Sequence, residues 1–291
     1  MNVMPETNAP TIPDSLLIIA GWGDFPRLVA DGAHAAGVKR VSVLGFKGST
    51  LRSTYRAADE FKTIPFGNLD LMRKSVAESN CKKVVLAGQI NPVCLFRSRL
   101  DKSLLSELAT LKVRNAHTMF HLLVERIETL GVDVLPSSLF MKNHFPTEGV
   151  LTTRAPDERE NGDIAYGNHI AMEICNLDIG QTVVVKDGVV LAVEGFDGTN
   201  VTIKRGGRLV RRGAVVVKVA KNGHDMRFDI PVIGTKTVRV MKAAGISALS
   251  VQAGRTIILN LPQVVEAANR AGIAIVAVKT ALPSAPTLSK T

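Results

Sequence analysis

The stretch SLLIIAGWGDFP, residues 15–26, predicts how the fold begins. Its apolar run is typical of a strand buried on both faces, and Gly21 and Gly23 then permit a tight turn. A helix is predicted over residues 26–36, with Gly37 as its C-cap. A buried strand, a glycine-rich turn and a helix in this order form the first unit of a parallel α/β sheet.

The same alternation of strands and helices continues to about residue 136. Strands are predicted at VKRVSVLGF (38–46), KKVVLAG (82–88) and VDVLPS (132–137), and helices at LDLMRKSVAESN (69–80), SLLSELATL (103–111) and AHTMFHLLVERIETLG (116–131). This order predicts a parallel sheet with helices on both faces. We therefore expect an N-terminal α/β domain over residues 14–136.

The pattern changes after this domain. Residues 137–160 are polar and contain Pro and Gly, which predicts a linker or crossover. A distinct C-terminal α/β domain is expected over 161–280, and disordered tails over 1–13 and 281–291. In this domain helices are predicted at 164–176, 235–245 and 261–272, a hairpin at 181–196 through the turn Asp187-Gly188, and strands at 213–221, 225–230, 246–251, 256–260 and 273–278.

Composition narrows the classes of function. The three Cys are widely spaced and odd in number, so they indicate neither a disulfide framework nor a zinc site, and they favour a reducing compartment. The N-terminal stretch MNVMPETNAPTIPD lacks the basic and apolar regions of a secretory signal, and no apolar run has membrane-spanning length. A net charge of +10 favours nucleic acid, anionic lipid or phosphorylated ligands as partners without choosing among them.

Two loops of the first domain are candidate ligand sites. Gly21 and Gly23 form the G-x-G of a dinucleotide fingerprint, but the third glycine is absent and no acid follows the second strand. This turn either presents backbone N–H groups to a phosphate or sugar, or needs glycine only for its geometry. In LAGQINP, Gly88 and Gln89 lie where a parallel sheet presents its ligand crevice, and a plain loop is the alternative.

Two other features favour structural interpretations. His117 and His121 are spaced i, i+4 on a predicted helix, but no Glu lies between them to complete a zinc-binding pattern, so a half-buried helix face is favoured. The basic run RGGRLVRRG, residues 205–213, could bind phosphates or an anionic membrane surface, although a solvated strand face is the default expectation. No aromatic residues interleave it, which argues against a platform for single-stranded RNA.

The segment DMRFDI is the candidate catalytic element. On a strand, its alternation places Asp225, Arg227 and Asp229 on one face and apolar side chains on the other. Lys218 and Lys221 lie just upstream, and together these groups suit a phosphoryl site in which carboxylates hold Mg²⁺ and cations neutralise phosphate charge. A surface strand with salt bridges is the alternative, and spacing alone slightly favours it.

The motifs taken in order resemble a known family. The segments are IAGWGDFP, LAGQINP, GVLTTRAPDERENGDIAYG, LDIGQTVVVKDGVVLAVEGFDGTN and KVAKNGHDMRFDIPVIGTKTV. Their order is similar to that of the LpxI-type UDP-2,3-diacylglucosamine pyrophosphatases over nearly the whole chain, from about residue 16 to residue 278. Several motifs in fixed order are far more specific than any one of them.

The resemblance implies a metal-dependent nucleotide-sugar pyrophosphatase of lipid A biosynthesis. Such an enzyme hydrolyses the pyrophosphate bond of UDP-2,3-diacylglucosamine to UMP and 2,3-diacylglucosamine 1-phosphate, with Mg²⁺ or another divalent cation. The resemblance also implies a Rossmann-like N-terminal domain and a distinct C-terminal α/β domain, with the lipid held between them. The expected protein is cytoplasmic, a homodimer in peripheral contact with the inner membrane, and has no nucleic-acid partner.

The same resemblance implies the site residues. Asp229 is the essential acid and the expected metal ligand, while Asp225 and Arg227 complete the catalytic set. Glu194 matches the acid of the family's AVE strand. The expected substrate-binding residues are Gly21, Gly23, Gly88, Gln89, Glu194, Thr199, Lys218, Lys221 and Thr235.

The chain departs from the family pattern at two places. Asn200 stands where the family usually has an acid, and the acid often found near His117 is absent. These departures support an alternative function, a catalytically weakened protein that binds a nucleotide-sugar lipid. A basic RNA-binding protein is a third hypothesis, supported only by charge.

Overall fold

A computed structural model describes residues 12–89, 100–113, 116–220, 227 and 230–279, without the side chains of residues 116 and 117. The chain divides into two compact units, residues 1–114 with 118–140 and residues 115–117 with 141–291. Each unit is built on its own main sheet. The expected fold class, a Rossmann-like parallel-sheet domain followed by a distinct α/β domain, is confirmed.

The first unit has a five-stranded parallel sheet in the order β3-β2-β1-β4-β5. Because the order reverses direction between β1 and β4, the switch point of the sheet lies between these two strands. The elements are β1 (Ser15–Ala20), α1 (Phe25–Ala35), β2 (Arg40–Phe46), α2 (Arg52–Arg56), β3 (Glu60–Ile64), α3 (Leu69–Glu78), β4 (Lys83–Ala87), α4 (Lys102–Ala109), α5 (Ala116–Glu128) and β5 (Asp133–Leu135).

Helix α2 and strand β3 were not predicted from the sequence. Strand β3 has the sequence EFKTI, and its first three residues are exposed. It lies at the edge of the sheet, where charged residues limit unwanted pairing, so it lacks the apolar run of a central strand. The segment predicted to be the third strand is therefore β4 in the structure.

The second unit has a six-stranded mixed sheet in the order β6-β13-β11-β9-β7-β8 and a separate parallel pair, β10 with β12. Strands β9, β11 and β13 are parallel to one another, while β7 is antiparallel to both of its neighbours, β9 and β8. The elements are β6 (Gly149–Val150), α6 (Glu158–Asn176), β7 (Thr182–Lys186), β8 (Val189–Val193), α7 (Thr199–Leu209), β9 (Ala214–Lys218), β10 (Val232–Ile233), α8 (Thr235–Ala243), β11 (Ile246–Gln252), β12 (Ile257–Ile258), α9 (Leu261–Ala271) and β13 (Ala274–Val278).

Valine runs in β7 and β9 fill both faces of the second sheet. Val184 and Val216 pack in the core that also contains residues of α7, α8 and α9. Val183 and Val217 face the other way and pack with residues of α6. All four side chains are fully buried, and each contributes roughly 1.5–3 kcal/mol of hydrophobic free energy. The sheet is therefore a layer between helices, as its uninterrupted apolar runs require.

The strand predicted over the basic run 205–213 is wrong. Residues 205–209 form the last turns of α7 instead. Two adjacent glycines weaken a helix when only local preference is considered, but here they permit close packing. A Cβ on Gly206 would lie 2.7 Å from the Val184 side chain, and one on Gly207 would lie 2.4 Å from the backbone oxygen of Ala244.

The segment predicted as a linker, residues 137–160, contains several regular elements. Two short 3-10 helices, Ser137–Phe140 and Lys142–His144, precede β6, and the segment ends within the first turn of α6. Asp157 caps α6, since its carboxylate accepts a 2.7 Å hydrogen bond from the backbone N–H of Glu160, whose side chain accepts in return from the N–H of Asp157 at 2.9 Å. This reciprocal capping box specifies where the helix begins.

An ion pair anchors the start of α6 to the sheet. The guanidinium of Arg154 donates two hydrogen bonds to the carboxylate of Glu160, at 2.7 and 3.1 Å, and also donates to the backbone oxygen of Ser247. Glu160 is fully buried. Burial disfavours its ionised form, but hydrogen bonds from Arg154 and from the backbone of Asp157 outweigh that effect and lower the pKa of the carboxyl.

We expect Glu160→Gln to destabilise the protein by about 2 kcal/mol near neutral pH, because it leaves the Arg154 charge without its partner. A carboxyl with a lowered folded-state pKa stabilises the protein above its unfolded pKa, about 4.3, and that contribution is lost as the pH falls through the folded value. Urea unfolding of wild type and variant across this range should show the difference shrinking in acid.

Glu158→Gln is the matched control, since Glu158 lies in the same first turn but is exposed. It should change the unfolding free energy by less than about 0.5 kcal/mol. A loss for Glu160→Gln that stays constant from neutral to acid pH would contradict the role given to its charge.

Candidate functional site

Polar residues collect at one edge of the second sheet, where β8, β9 and β11 end. Lys218 is the last residue of β9 and Gln252 is the last residue of β11. Glu194 directly follows β8, and Thr182 begins the antiparallel strand β7 directly opposite Lys218. Four polar side chains from four strands therefore share the carboxyl edge, where open α/β sheets bind ligands.

Three of the residues expected at the site are in contact at this edge. The ammonium of Lys218 donates a 2.9 Å hydrogen bond to the hydroxyl of Thr199, and that hydroxyl donates a 2.8 Å bond to Oε1 of Glu194. Lys218 Nζ also lies 3.4 Å from the hydroxyl of Thr182 and 3.8 Å from Oε2 of Glu194. Lys218 is 5% exposed and Glu194 is 8% exposed, so the charges are almost fully buried.

Both carboxylate oxygens of Glu194 contact donors within the protein. Its Oε1 accepts from Thr199, and its Oε2 accepts from the backbone N–H of Gln181 at 3.4 Å and faces the ammonium of Lys218. A carboxylate held in this way balances a buried cation and is a poor ligand for a metal ion. The arrangement thus uses Glu194 to keep Lys218 in place.

The first turn of α7 lies beside this buried pair. Gly198 precedes the helix with φ of +80° and, as a glycine, supplies no capping side chain. A helix N-terminus carries partial positive charge, which adds to the charge of Lys218. In the described part of the chain, the Oδ1 atom of Asn200 in the same turn is buried and accepts no hydrogen bond.

Residues 221–229, which we call the acidic segment, follow β9 in the sequence. Lys218 is followed by two buried residues, and the backbone N–H of Ala220 donates a 2.7 Å hydrogen bond to the side chain of Gln252. The chain returns at Ile230, and the oxygen of Pro231 accepts from Ile257 at 2.8 Å. The described residues on either side of this segment are therefore hydrogen-bonded to β11 and next to β12, and Ala220 follows Lys218 closely in the sequence.

The remaining residues expected in the second domain are placed as follows. Arg227 is partly buried. Thr235 is the first residue of α8, after Gly234, and no hydrogen bond among the described residues joins it to Lys218. The candidates Lys221, Asp225 and Asp229 lie outside the described residues, as does the side chain of His117. Of the strand predicted over residues 225–230, only Arg227 and Ile230 are described.

In the first unit, the loops after β1 and β4 are joined to each other. The N–H of Trp22 donates to the oxygen of Gln89 at 2.7 Å, and the N–H of Gln89 donates to the oxygen of Trp22 at 2.9 Å. A Cβ on Gly21 would lie 2.5 Å from the Gln89 oxygen, and one on Gly88 would lie 2.8 Å from the Pro26 ring. These two glycines let the loops meet at the switch point of the sheet.

This contact also bears on phosphate binding by the glycine-rich turn. The N–H of Gly21 donates to the Ala87 oxygen at 2.8 Å, so two successive N–H groups of the turn, those of Gly21 and Trp22, are used within the protein. Gly23 has a positive φ of +101° and no close neighbour at its Cβ position. A ligand role for Gly21, Gly23, Gly88 and Gln89 stays a prediction, and close packing is a sufficient reason for Gly21 and Gly88.

Sequence reasoning did not find Thr182 or Gln252. Each is the terminal residue of a buried strand, and a threonine or glutamine at such a position is unremarkable in sequence. These two residues are identified by the strand register, which pairs Thr182 with Lys218 and Gln252 with Val278. Only the paired sheet reveals that they adjoin the charged residues.

Neither a metal-binding cluster nor a membrane-spanning helix occurs among the described residues. They contain no group of three or more His, Cys, Asp and Glu side chains arranged to hold a metal ion. Within the same ranges, no helix combines the length and apolar character needed to cross a membrane.

The fold and this edge define a two-domain α/β protein with a charged candidate site on its second sheet. Residues 15–144 match the LpxI N-terminal domain, and residues 147–276 match the LpxI C-terminal domain. The chain belongs to the LpxI family. It is 27% identical over 274 residues to UDP-2,3-diacylglucosamine pyrophosphatase LpxI of Caulobacter vibrioides, a match that covers 90% of this chain and 96% of the relative.

The contact between Lys218 and Glu194 generates a prediction for stability. Lys218→Met and Glu194→Gln should each destabilise the protein by about 3 kcal/mol, because each leaves one buried charge without its counter-charge. The double variant should lose clearly less than the sum of the two single losses. Urea unfolding of the four proteins measures this coupling.

The exposed pair Lys62 and Glu78 is the matched control, with a shorter separation of 2.6 Å and side chains 45% and 49% exposed. The same substitutions there should couple by less than about 1 kcal/mol, since water screens the charges. Additive losses at Lys218 and Glu194 would mean that their contact is not what holds them in place.

Proposed function

We propose that this protein hydrolyses the pyrophosphate bond of UDP-2,3-diacylglucosamine to UMP and 2,3-diacylglucosamine 1-phosphate, a step of lipid A biosynthesis. The proposal is supported by membership of the LpxI family over both domains and by the activity for which the Caulobacter relative is named. The observation that carries it is the position of Lys218, buried with Glu194 where the segment bearing Asp225 and Asp229 begins.

Hydrolysis of a pyrophosphate by water needs no covalent intermediate, but it does need cations. A water molecule attacks one phosphorus, its proton passes to a base, and the bridging oxygen leaves with the other phosphoryl group. Negative charge grows on that leaving oxygen, so fixed cations stabilise the transition state more than the ground state. In this proposal Lys218, Lys221 and Arg227 supply the positive field, and Asp229 orients the water and takes its proton.

Lys218 suits this role because its charge is oriented in advance. The ammonium is held by Thr199 and Thr182 and does not have to reorganise during the reaction. The first turn of α7, preceded by Gly198, adds positive potential at the same edge of the sheet. Glu194 and Thr199 then act by positioning the lysine, and Asp225 supports Asp229 across the acidic segment.

A divalent cation fits the acidic segment better than the buried pair. Both oxygens of Glu194 already contact protein donors, which makes this carboxylate a poor ligand for the cation. Asp229, with Asp225, supplies the hard oxygen ligands that Mg²⁺ prefers. When bound, the cation would neutralise charge on the pyrophosphate oxygens.

The proposal includes the setting of the reaction. The lipid substrate and the net charge of +10 support peripheral contact with the anionic inner membrane from the cytoplasmic side. A homodimer belongs to the same proposal through the family resemblance.

Asn200 favours a second candidate function, the binding of a nucleotide-sugar lipid with weakened hydrolysis. Its amide stands where the family usually has an acid, and its buried Oδ1 lacks a partner among the described residues. An amide there can accept a hydrogen bond from a ligand but cannot supply a negative charge. Ligand binding by a wild type that releases no UMP would support this second function.

The first prediction from this function concerns Asp229. Asp229→Asn should reduce UMP release by about a hundredfold or more, because an amide cannot take the proton from water. Because Asn has nearly the same shape as Asp, the urea midpoint should stay close to wild type. The matched control is Asp31→Asn, which removes an exposed acid paired with Arg27 on α1 and should retain full activity.

Equal rates of UMP release by wild type and Asp229→Asn would remove the role given to this acid. Activity lost together with the urea midpoint would point to misfolding, and Asp229→Glu then separates the two cases. That variant keeps the carboxylate, so partial activity is expected from it if the acid acts chemically.

The second prediction concerns the cation. Dialysis against EDTA should lower UMP release at least about tenfold, and added Mg²⁺ should restore it, since the cation stabilises charge on the pyrophosphate. The thermal midpoint of the protein should change little, because the buried core does not depend on the ion. A full rate in excess chelator would exclude the proposed metal requirement.

A further inference from the structure

The positive charge of this protein is concentrated in one part of the chain. Residues 198–265 contain twelve of the 36 Lys and Arg residues and two of the 26 Asp and Glu residues. Their excess of ten cations equals the net charge of the whole chain, +10, so the remaining residues are balanced. A neutral remainder with one strongly basic segment indicates a localised electrostatic surface rather than general solubility.

Helix α7 carries part of this charge on a single exposed face. Its exposed residues, Val201, Lys204, Arg205, Arg208 and Leu209, recur at i, i+3, i+4, i+7 and i+8. This is the spacing of one helical face, and the opposite face is buried against β7. The exposed face therefore combines three cations with two apolar side chains and contains no acid.

Helix α8 continues the basic surface. It packs beside α7, since Gly207 approaches Ala244 so closely that a Cβ would lie 2.4 Å from the Ala244 oxygen. Its exposed cations include Arg239 and Lys242, and the helix contains no acid. The turn after α7, which carries the exposed Arg211 and Arg212, packs against Gly245 just after α8. We call the following six side chains the basic helix face: Lys204, Arg208, Arg211, Arg212, Arg239 and Lys242.

Within the described ranges, the cations of the basic helix face have no acidic partner. Among the described residues, none of the six forms an ion pair with a carboxylate. Arg205, on the same helix, is different because it lies 3.4 Å from Asp197 and donates a 2.6 Å hydrogen bond to the oxygen of Val193. The six other charges repel one another and gain free energy when an external anionic surface approaches.

Apolar residues on the same face identify the kind of surface. Val201 is 48% exposed and Leu209 is 65% exposed, and Leu209 lies between Arg208 and Arg211 in the chain. Apolar side chains set among cations suit a lipid interface, where they enter between headgroups while the cations contact phosphates. RNA would be bound through stacking aromatic residues, but α7, α8 and the turn after α7 contain none.

We propose that the basic helix face, with Val201 and Leu209, is the surface through which this protein docks on anionic phospholipid. The inference rests on the proposed membrane contact and deepens it by assigning the contact to particular residues. Cations draw the face to the bilayer over a Debye length, and Leu209 adds a short-range contact that salt does not screen.

The test is co-sedimentation of the full-length protein with lipid vesicles. Wild type should pellet with vesicles of phosphatidylcholine mixed with phosphatidylglycerol, and not with phosphatidylcholine alone. Arg208→Glu combined with Arg211→Glu should lower the bound-to-free ratio at least about tenfold, because two attractive charges become repulsive. Leu209→Ser should lower binding less, and most visibly at raised salt.

The matched control is Lys82→Glu combined with Lys112→Glu. It makes the same change in net charge at two exposed lysines of the first unit and should bind the mixed vesicles like wild type. Equal loss in the control, or equal binding of wild type to both kinds of vesicle, would overturn the assignment. RNA that co-purifies with wild type but not with the Arg208/Arg211 variant would overturn it in favour of nucleic acid.

Hydrolysis of detergent-dispersed UDP-2,3-diacylglucosamine separates this inference from the proposed function. The Arg208/Arg211 variant should release UMP from dispersed lipid at the wild-type rate, because neither residue belongs to the proposed catalytic set. Wild type that binds mixed vesicles but releases no UMP would refute only the hydrolysis. Wild type that releases UMP but ignores mixed vesicles would refute only the docking surface.

Discussion

A buried positive charge organises the carboxyl edge of the second sheet. Moving an ammonium group out of water costs several kcal/mol, so Lys218 is tolerated there only with partners. They come from three places: Thr182 on β7, Glu194 after β8 and Thr199 on α7. The antiparallel register of β7, the return of the hairpin and the turn at Gly198 must therefore all be correct together. The segment that bears Asp225 and Asp229 follows Lys218 closely in the sequence.

Close contacts at glycines, which have no side chain, are the second constraint on the structure. At Gly206 a Cβ would clash with Val184 at 2.7 Å, so α7 can lie on β7 only because glycine is present. At Gly21 a Cβ would lie 2.5 Å from the oxygen of Gln89, so the two loops at the switch point of the first sheet can meet. In both units, glycines permit the close approach that positions a candidate functional element. One of these elements, α7, also presents the basic helix face outward.

Regular patterns made most of the fold predictable. The valine runs of β7 and β9, the Asp187-Gly188 turn between β7 and β8, and the apolar run of β1 each indicate their structure through local periodicity. The failures have physical reasons. Strand β3 lies at an edge with little burial, and α7 contains two glycines whose cost is offset only by packing against other elements. The family was recognised because several motifs occurred in a fixed order, which no single spacing establishes.

The sequence by itself determined the class of fold, the two-domain order, the residue types of the candidate site and the basic character of residues 205–213. These depend on local periodicity, composition and motif order, all of which are written along one chain. Only the tertiary structure decided that Lys218, Thr199 and Glu194 are in contact, that Thr182 and Gln252 adjoin them, and that 205–209 is helical. Those facts depend on strand register and on close packing between distant segments, and the free energy of such contacts has no local signature.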